Sequence, residues 1–480
     1  MRNGKEYVAS LRDGRAILLD DGRVEDVTTH PAFVEPIRRI AGIYDMAREE
    51  ANLPVTSYVD PQSGRRYSAK WLIPRTVEDI TARRRLHRFW AEPSYGHMGR
   101  TPDHVACLIS AYAGSADFFA RGGAQFAENV RRFYEKAREE DLYVAYTIVP
   151  PHVDRSKPAH KQPEPFLYPG VVQERDGGIV VRGAQMIGTS AVMADWIFMS
   201  YITPLSPGDD DYAIAVVLPA NAPGLRMYAR RPYSTIATSV YDYPLSSRFD
   251  ETDSLIVMND VFVPWEQVFI YRNVELVNGQ FNETGSHVLC NFQSLVRFGA
   301  KLDFLAGLAY KLAELHSIEG LPPVQSTLGG EIGALCATFE ALVHAAESFP
   351  VIKGGLARPG PQYVYTGMSL QRKLVIELMR TLRELAGGAF LSVPSSWKAF
   401  EGEETAADVA RYYKSATASA EQRVKILKLI WDFVGTEFAG RQLQYEMFYS
   451  AAQHVVDGRV FRTYDWSKGR AMVDRCLKEY

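Results

Sequence analysis

The stretch "EKAREEDLYVAYTIVPP", residues 135–151, holds the switch on which the fold turns. Up to Glu140 its charges belong to a helical pattern. From Leu142 the residues are β-branched or aromatic and run as a strand to Pro150-Pro151, where a ladder cannot continue. Upstream, "SADFFARGGAQFAENVRRFYEKAREEDL" sets Phe118, Phe126, Val130 and Phe133 on roughly one face, which predicts an amphipathic helix. Before it, "TVEDITARRRLHRFWAE" opens on Thr76 with Asp79 three residues later, a variant of the capping box. Downstream, "GGIVVRGAQMIGTSA", "DWIFMSYIT", "DYAIAVVLP" and "DSLIVMNDVFVP" are short strand-like runs divided by turn residues. No helical pattern lies between them, so an antiparallel barrel or sandwich is expected over a parallel sheet.

This β block ends near "VPWEQVFIYR", and from about residue 276 the chain is helical again. In "QRVKILKLIWDFVGTEF", Leu427, Ile430, Trp431, Val434 and Phe438 keep helical spacing, so a bundle is expected. Residues 317–327 and 353–363, rich in Gly and Pro, read as loops between bundle helices. The expected domains are therefore 1–140, mainly helical; 141–275, a β domain; and 276–480, a helical bundle with a C-terminal tail.

A net charge of −3 and no basic block with interleaved aromatics argue against a nucleic-acid binder. With no long apolar run and no secretory segment after Met1, a soluble cytoplasmic protein is expected, without a membrane role. Cysteines 107, 290, 336 and 476 are scattered and form no CxxC pair, which suits reduced thiols. The histidines are dispersed too, so no metal is expected. GxGxxG after a strand, the P-loop, HExxH and GxSxG are all missing. The aromatic share, 12%, suits either a large core or planar-ligand pockets.

Three stretches carry possible chemistry. In "YGHMGRTPDHVACLISAY", Pro102 marks a helix start with Thr101 as candidate N-cap. Arg100 then precedes the helix and His104 lies in its first turn. On a structural reading Arg100 is a surface ion-pair partner and His104 a satisfied, partly buried histidine. On a functional reading the imidazole exchanges a proton with a phenolic hydroxyl, and the guanidinium stabilises the phenolate. His97 and Asp103 read as local structure. In "YVAYTIVPPHVDRSKP", Tyr146 lies in a strand, with His152, Asp154 and Arg155 in the exit loop. The structural alternative is an Asp154–Arg155 ion pair closing a turn. In "RGAQMIGTSAVMADW", a strand enters a Gly188-Thr189-Ser190 turn whose hydroxyl could meet a polar ring edge.

These stretches, in this order, resemble the two-component, reduced-flavin-dependent aromatic hydroxylases typified by the large component of 4-hydroxyphenylacetate 3-monooxygenase. "NGKEYVASLRDGRAILLDDGRVEDVTTHPAF", "GHMGRTPDH", "PPHVDRSKP", "NDVFVPWEQVF", "GRQLQYEMFYS" and "AMVDRCLKEY" carry the similarity along essentially the whole chain. The resemblance implies an acyl-CoA-dehydrogenase-like fold and an oxidoreductase that takes FAD, as FADH2, from a separate NAD(P)H:flavin reductase. It implies that O2 gives a flavin C4a-hydroperoxide, whose distal oxygen is attacked by an electron-rich ring. A cytoplasmic homotetramer is implied as well.

Carried over by residue, Arg100 matches the substrate-hydroxyl arginine. The position of His104 is usually tyrosine in the hydroxyphenylacetate enzymes, and that of Tyr146 usually histidine. Here the two are exchanged, which makes the substrate the point of departure. Arg100, His104 and Tyr146 are thus the candidate catalytic residues. His152, Val153, Asp154, Arg155 and Thr189 lie in flavin-contacting stretches, although the family often has Gln at 152. Arg441, Gln444 and Tyr445 fall in the C-terminal flavin-side region. Alternatives are a monooxygenase acting on a non-phenolic heteroaromatic ring or nitrogen, and a 4-hydroxybutyryl-CoA dehydratase-like flavoenzyme with an iron–sulfur cluster. A non-catalytic scaffold is a further one.

Overall fold

The computed structural model describes residues 1–449 and 451–479. At the switch, the helix Ala124–Glu139 stops, Asp141 adopts a φ of 52°, and the strand Val144–Thr147 follows. The helix buries Phe126, Val130, Phe133 and Tyr134 and leaves its charges outside. Each such side chain contributes about 1.5–3 kcal/mol when fully buried. The stretch before it forms two helices rather than one. Gly123, at φ 143°, separates Asp117–Ala120 from Ala124–Glu139 in a conformation that side chains resist. Thr76 and Asp79 make the reciprocal capping box at the start of Val77–Ala91.

The β block is a pair of open sheets; no closed barrel forms among the described residues. One sheet has six strands in the order Gly22–Val24, Ile17–Leu19, Leu225–Ala229, Ser254–Pro264, Gly178–Gln185 and Gly170–Arg175. The other has four: Val268–Ile270, Ala215–Pro219, Trp196–Met199 and Val144–Thr147. Two pairings are parallel, contrary to the antiparallel expectation: Ile17–Leu19 with Leu225–Ala229, and Val144–Thr147 with Trp196–Met199. Parallel neighbours need a long connection. The first pair gets it because strands from the N-terminal block join the sheet. The second gets it from residues 148–195, which loop out to build a hairpin of the other sheet.

The N-terminal segment also fixes the turn that leads into Trp196. Arg2 donates to Asp195 at 2.6 Å, the Tyr7 hydroxyl donates to the Met193 carbonyl at 2.9 Å, and Arg15 donates to the Val192 and Ala194 carbonyls.

In the C-terminal bundle the 31-residue helix Ser286–His316 packs against Pro102–Gly114 and Pro361–Ala386. The 422–438 stretch belongs to two helices, Ala420–Val434 and Glu437–Phe448, with Thr436 capping the second. The two segments read as loops both contain structure. Pro322–Ser326 is a short helix, and Val351–Lys353 pairs with Leu356–Arg358 across Gly354-Gly355. Both glycines have positive φ, the requirement of a tight two-residue hairpin. Fully buried Glu446 joins the bundle by accepting from Arg297 and Lys301. Burial alone would raise its carboxyl, but the two cations overcome that and hold it at about 2. Among the described residues no helix is long and apolar enough to cross a membrane.

Candidate active site

Thr101 occupies the N-cap position and Pro102 the first turn of Pro102–Gly114, yet no side chain caps the helix. The Thr101 hydroxyl instead donates to Asp103 Oδ1 at 2.6 Å. The backbone of Arg100 is held from both sides: its N–H donates to Glu251, and the Tyr143 hydroxyl donates to its carbonyl. What remains is a half-buried guanidinium aimed by a fixed backbone. Its Nη1 donates to His104 Nε2 at 2.9 Å. Its Cζ lies 5.2 Å from the ring centre of Tyr146, 5.3 Å from that of Tyr445 and 5.7 Å from that of Tyr449. Among the described residues no carboxylate comes within ion-pair distance of the guanidinium, so the surface ion pair is not formed.

His104 is buried, its Nδ1 2.8 Å from Gln293 Oε1 and its ring 5.6 Å from that of Tyr146. Burial, followed by the charge of Arg100, pushes the imidazole well below its usual range, so it is neutral near pH 7. Burial raises the Tyr146 phenol, and Arg100 opposes this in part. The fold therefore brings Arg100, His104 and Tyr146 together. His97 sits in a cluster with Phe249, Phe304, Phe433 and Phe438, and Asp103 meets His87 at 2.7 Å.

A second group adjoins the first. Arg441 donates to Asp253 through Nη2 and Nε at 2.9 and 3.1 Å, and to Glu251 through Nη1 at 3.2 Å. Thr189 donates to the same Asp253 at 2.7 Å. Burial would raise the Asp253 carboxyl, but Arg441, with Thr189 and Arg230, outweighs it and keeps the group below the usual carboxylate range. The Tyr445 ring has three guanidiniums around it: Arg441 at 5.0 Å, Arg100 at 5.3 Å and Arg297 at 5.4 Å. Its hydroxyl is buried without a partner, and burial pushes it up to about 12. A Cβ on Gly99 would collide with that hydroxyl and ring, so any side chain there would have to displace Tyr445.

The remaining candidates lie apart. His152, Val153 and Arg155 are exposed in their loop, as is Gln444 on its helix. Asp154 pairs with Lys157 at 3.0 Å and accepts from Ser156, so the turn is not closed through Arg155. The loop nevertheless leaves next to the Gly188 turn, because Val149 bridges Met186. Sequence reasoning missed Gln293, Glu251, Asp253 and Tyr449. The acidic run "DETD" at 250–253 hinted at buried arginine partners; nothing in the local pattern singled out Gln293.

The family model described as 4-hydroxyphenylacetate 3-hydroxylase N terminal matches residues 3–270, and its C-terminal counterpart matches residues 277–478. The chain belongs to the 4-hydroxyphenylacetate 3-hydroxylase family. It is 33% identical over 479 residues to the 4-hydroxyphenylacetate 3-monooxygenase oxygenase component of Thermus thermophilus, covering 100% of this chain and 98% of that one. It is 36% identical over 457 residues to a (3S)-3-amino-3-(3-chloro-4-hydroxyphenyl)propanoyl-peptidyl-carrier-protein monooxygenase of Streptomyces globisporus, covering 93% and 84%. A crystal structure of a 4-hydroxyphenylacetate 3-monooxygenase oxygenase component with FAD and 4-hydroxyphenylacetate superposes with a TM-score of 0.94 at 32% identity, covering 100% and 99%. The fold is accordingly the acyl-CoA-dehydrogenase-like one of this family.

The residues around the Gly188 turn suit the flavin that the family binds. Ile187, at φ 60°, exposes an apolar side chain there, 52% accessible. Thr252 Oγ1 and Ser254 Oγ are buried nearby, and the Tyr445 hydroxyl beside Arg441, without partners among the described residues. The Gly188 N–H donates to the Ser254 carbonyl and the Ser190 N–H to that of Thr252, so these groups share one corner. An unpaired buried polar group costs about 1–3 kcal/mol. A planar ring with a polar edge matches both the apolar face and the unpaired atoms.

Proposed function

We propose that this chain is the oxygenase component of a two-component monooxygenase that hydroxylates a phenolic ring, using FADH2 from a separate NAD(P)H:flavin reductase and O2. The observation that carries the reading is a guanidinium without a carboxylate partner among the described residues, 2.9 Å from a neutral, buried imidazole. Bound reduced FAD supplies the oxygen-activating chemistry. The protein's task is to make the ring electron-rich and keep water away. A phenolic hydroxyl entering the dyad displaces Arg100 from His104. Its O–H bond breaks, the proton joins the Nε2 lone pair, and the oxygen keeps the bonding electrons. Arg100, a permanent cation, then holds the phenolate. Tyr146 closes the pocket with its phenol protonated.

Thr189, Arg441 and Tyr445 are the residues that would hold the flavin, along with the loop His152, Val153, Asp154 and Arg155. Gln444 would contribute from the exposed side of its helix. The two relatives are named for different 4-hydroxyphenyl substrates, which supports a para-substituted phenol here. The exchange of His104 and Tyr146 supports a ring other than 4-hydroxyphenylacetate. Exposed Phe461, Trp466, Met472, Val473 and Leu477 on the C-terminal helices support burial against further copies, as in a homotetramer. Four free thiols support a cytoplasmic setting.

The test is a single turnover with chemically reduced FAD, oxygen and a panel of para-substituted phenols. Wild-type protein should hydroxylate at least one. Arg100→Ala and His104→Ala should oxidise the flavin with release of hydrogen peroxide but little product. If wild type gives only peroxide with every phenol, the substrate class is wrong. Variants that match wild type would refute the site.

A further inference from the structure

Resting on the phenol-hydroxylase reading, we propose that Gln293 is a positioning residue that holds His104 as the Nδ1–H tautomer, keeping the Nε2 lone pair aimed at the substrate hydroxyl. Hydrogen-bond polarity supports this step by step. Asp103 is a buried acceptor with donors around it: Thr101 Oγ1 at 2.6 Å on Oδ1 and His87 Nδ1 at 2.7 Å on Oδ2. Gln293 Nε2 faces Oδ1 at 3.5 Å. That distance makes a weak bond, and its role is to orient. The reversed amide would set its oxygen against a carboxylate, so the NH2 must face Asp103. Oε1 is then left for His104, 2.8 Å from Nδ1. A carbonyl oxygen only accepts, so Nδ1 must carry the hydrogen and Nε2 must carry the lone pair.

Arg100 imposes the same tautomer from the other side while it donates to Nε2. Once Arg100 turns to a phenolic oxygen that restraint is gone, and Gln293 alone remains. All the parts are rigid: Gln293 and Asp103 are fully buried and His104 is 2% exposed. Gln293 sits on Ser286–His316, which packs along Pro102–Gly114 and fixes the register of the contact. Without Oε1, a buried Nδ1–H would lack an acceptor, and the ring would gain by moving its proton to Nε2. That tautomer offers the phenol a donor where the reaction needs an acceptor.

Other titratable and charged groups face His104 from each packed element. They are Asp103 and Cys107 on its own helix, Arg100 before it, Tyr146 on the strand, His87 on Val77–Ala91, and Cys290 and Arg297 on Ser286–His316. Gln293 is the neutral acceptor among them, so replacing it by an anion strengthens the contact to Nδ1–H in a known direction, while the weak contact to Asp103 is exchanged for a repulsion.

Two variants test the role. Gln293→Leu should lower hydroxylation tenfold or more, with hydrogen peroxide released in its place; general base catalysis is worth about 10²–10⁴-fold in full. Gln293→Glu still accepts from Nδ1–H, so it should restore hydroxylation at high pH. Its negative charge favours the imidazolium, which should move the acid limb of the single-turnover rate upward by about 1–3 pH units. A merely structural role would lower the rate without moving that limb. The second readout needs no turnover. In [15N]histidine-labelled protein, with His104→Gln to assign the signal, wild-type His104 should show a pyrrole-type Nδ1 and a pyridine-type Nε2. A wild-type Nε2–H tautomer, or a Gln293→Glu variant with the wild-type acid limb, would overturn the proposal. Should wild type hydroxylate no phenol, the functional reading fails while the nitrogen spectrum still decides the role of Gln293.

Discussion

Arg100 and Arg441 face the same ring, Tyr445, at 5.3 and 5.0 Å, yet the protein commits them differently. Arg441 is matched by Asp253 and Glu251 and ties the Glu437–Phe448 helix to the strand that starts at Ser254. Arg100 gives its N–H to Glu251, but its guanidinium meets an imidazole and three aromatic faces. A buried cation with carboxylates is a fastening. A cation left among neutral groups retains most of its attraction for an anion, because aromatic faces and a neutral histidine offset only part of its charge.

That contrast can be broken at Arg441 first, where the largest effect is expected. Arg441→Ala removes the ion pairs to both carboxylates, leaving Glu251 the Arg100 N–H and Asp253 the Thr189 hydroxyl and Arg230, and should cost about 3 kcal/mol of stability, read by denaturant unfolding. Arg100→Ala strands no carboxylate. It should leave the unfolding midpoint near wild type while lowering hydroxylation about 10²–10³-fold, the usual loss of an oxyanion donor. An Arg100→Ala protein that unfolds as readily as Arg441→Ala would erase the distinction.

Acid should separate the two sites as well. The native carboxyl of Asp253 is held below its unfolded value, so its stabilising contribution is present above the ordinary Asp range, about pH 4. It is lost as pH falls through the lower native value. Stability of wild type should therefore decline in acid more steeply than that of Arg441→Gln, which lacks the interaction. The smallest effect is expected at Thr189→Val, which removes one hydrogen bond to Asp253 and should cost about 0.5–1.5 kcal/mol. A larger loss in FAD affinity than in stability would show that the hydroxyl also serves the ligand.

Local signals carried much of this in the sequence. Thr76 with Asp79, Pro102 at a helix start, and the change of period at Glu140 each depend on neighbours within a few residues. Arg100 and His104, four apart across a helix start, could be seen as a pair for the same reason. Gln293 could not, because it meets His104 across 189 residues and depends on how two helices are set together. Glutamine on a helix otherwise reads as solvent-facing. The split of the 115–142 stretch at Gly122-Gly123 was visible as residues but outvoted by the hydrophobic period. The parallel strand pairs escaped because pattern shows that a strand exists, not which strand it meets. Gln444 and Val153 came from resemblance alone, whereas His152, Asp154 and Arg155 also stood out in the exit loop of a strand; in the isolated chain all but half-buried Asp154 are exposed.

Arg100, paired with no carboxylate among the described residues, lowers the cost of ionising a bound phenol. The decisive measurement is an absorbance titration of protein carrying reduced FAD without oxygen. The bound phenol is chosen so that its phenolate absorbs apart from the neutral form. In wild-type protein it should ionise at a lower pH than in water, and in Arg100→Met it should return toward the solution value. A phenol that ionises at its solution pH on wild-type protein, or a shift that survives the loss of Arg100, would contradict the claim.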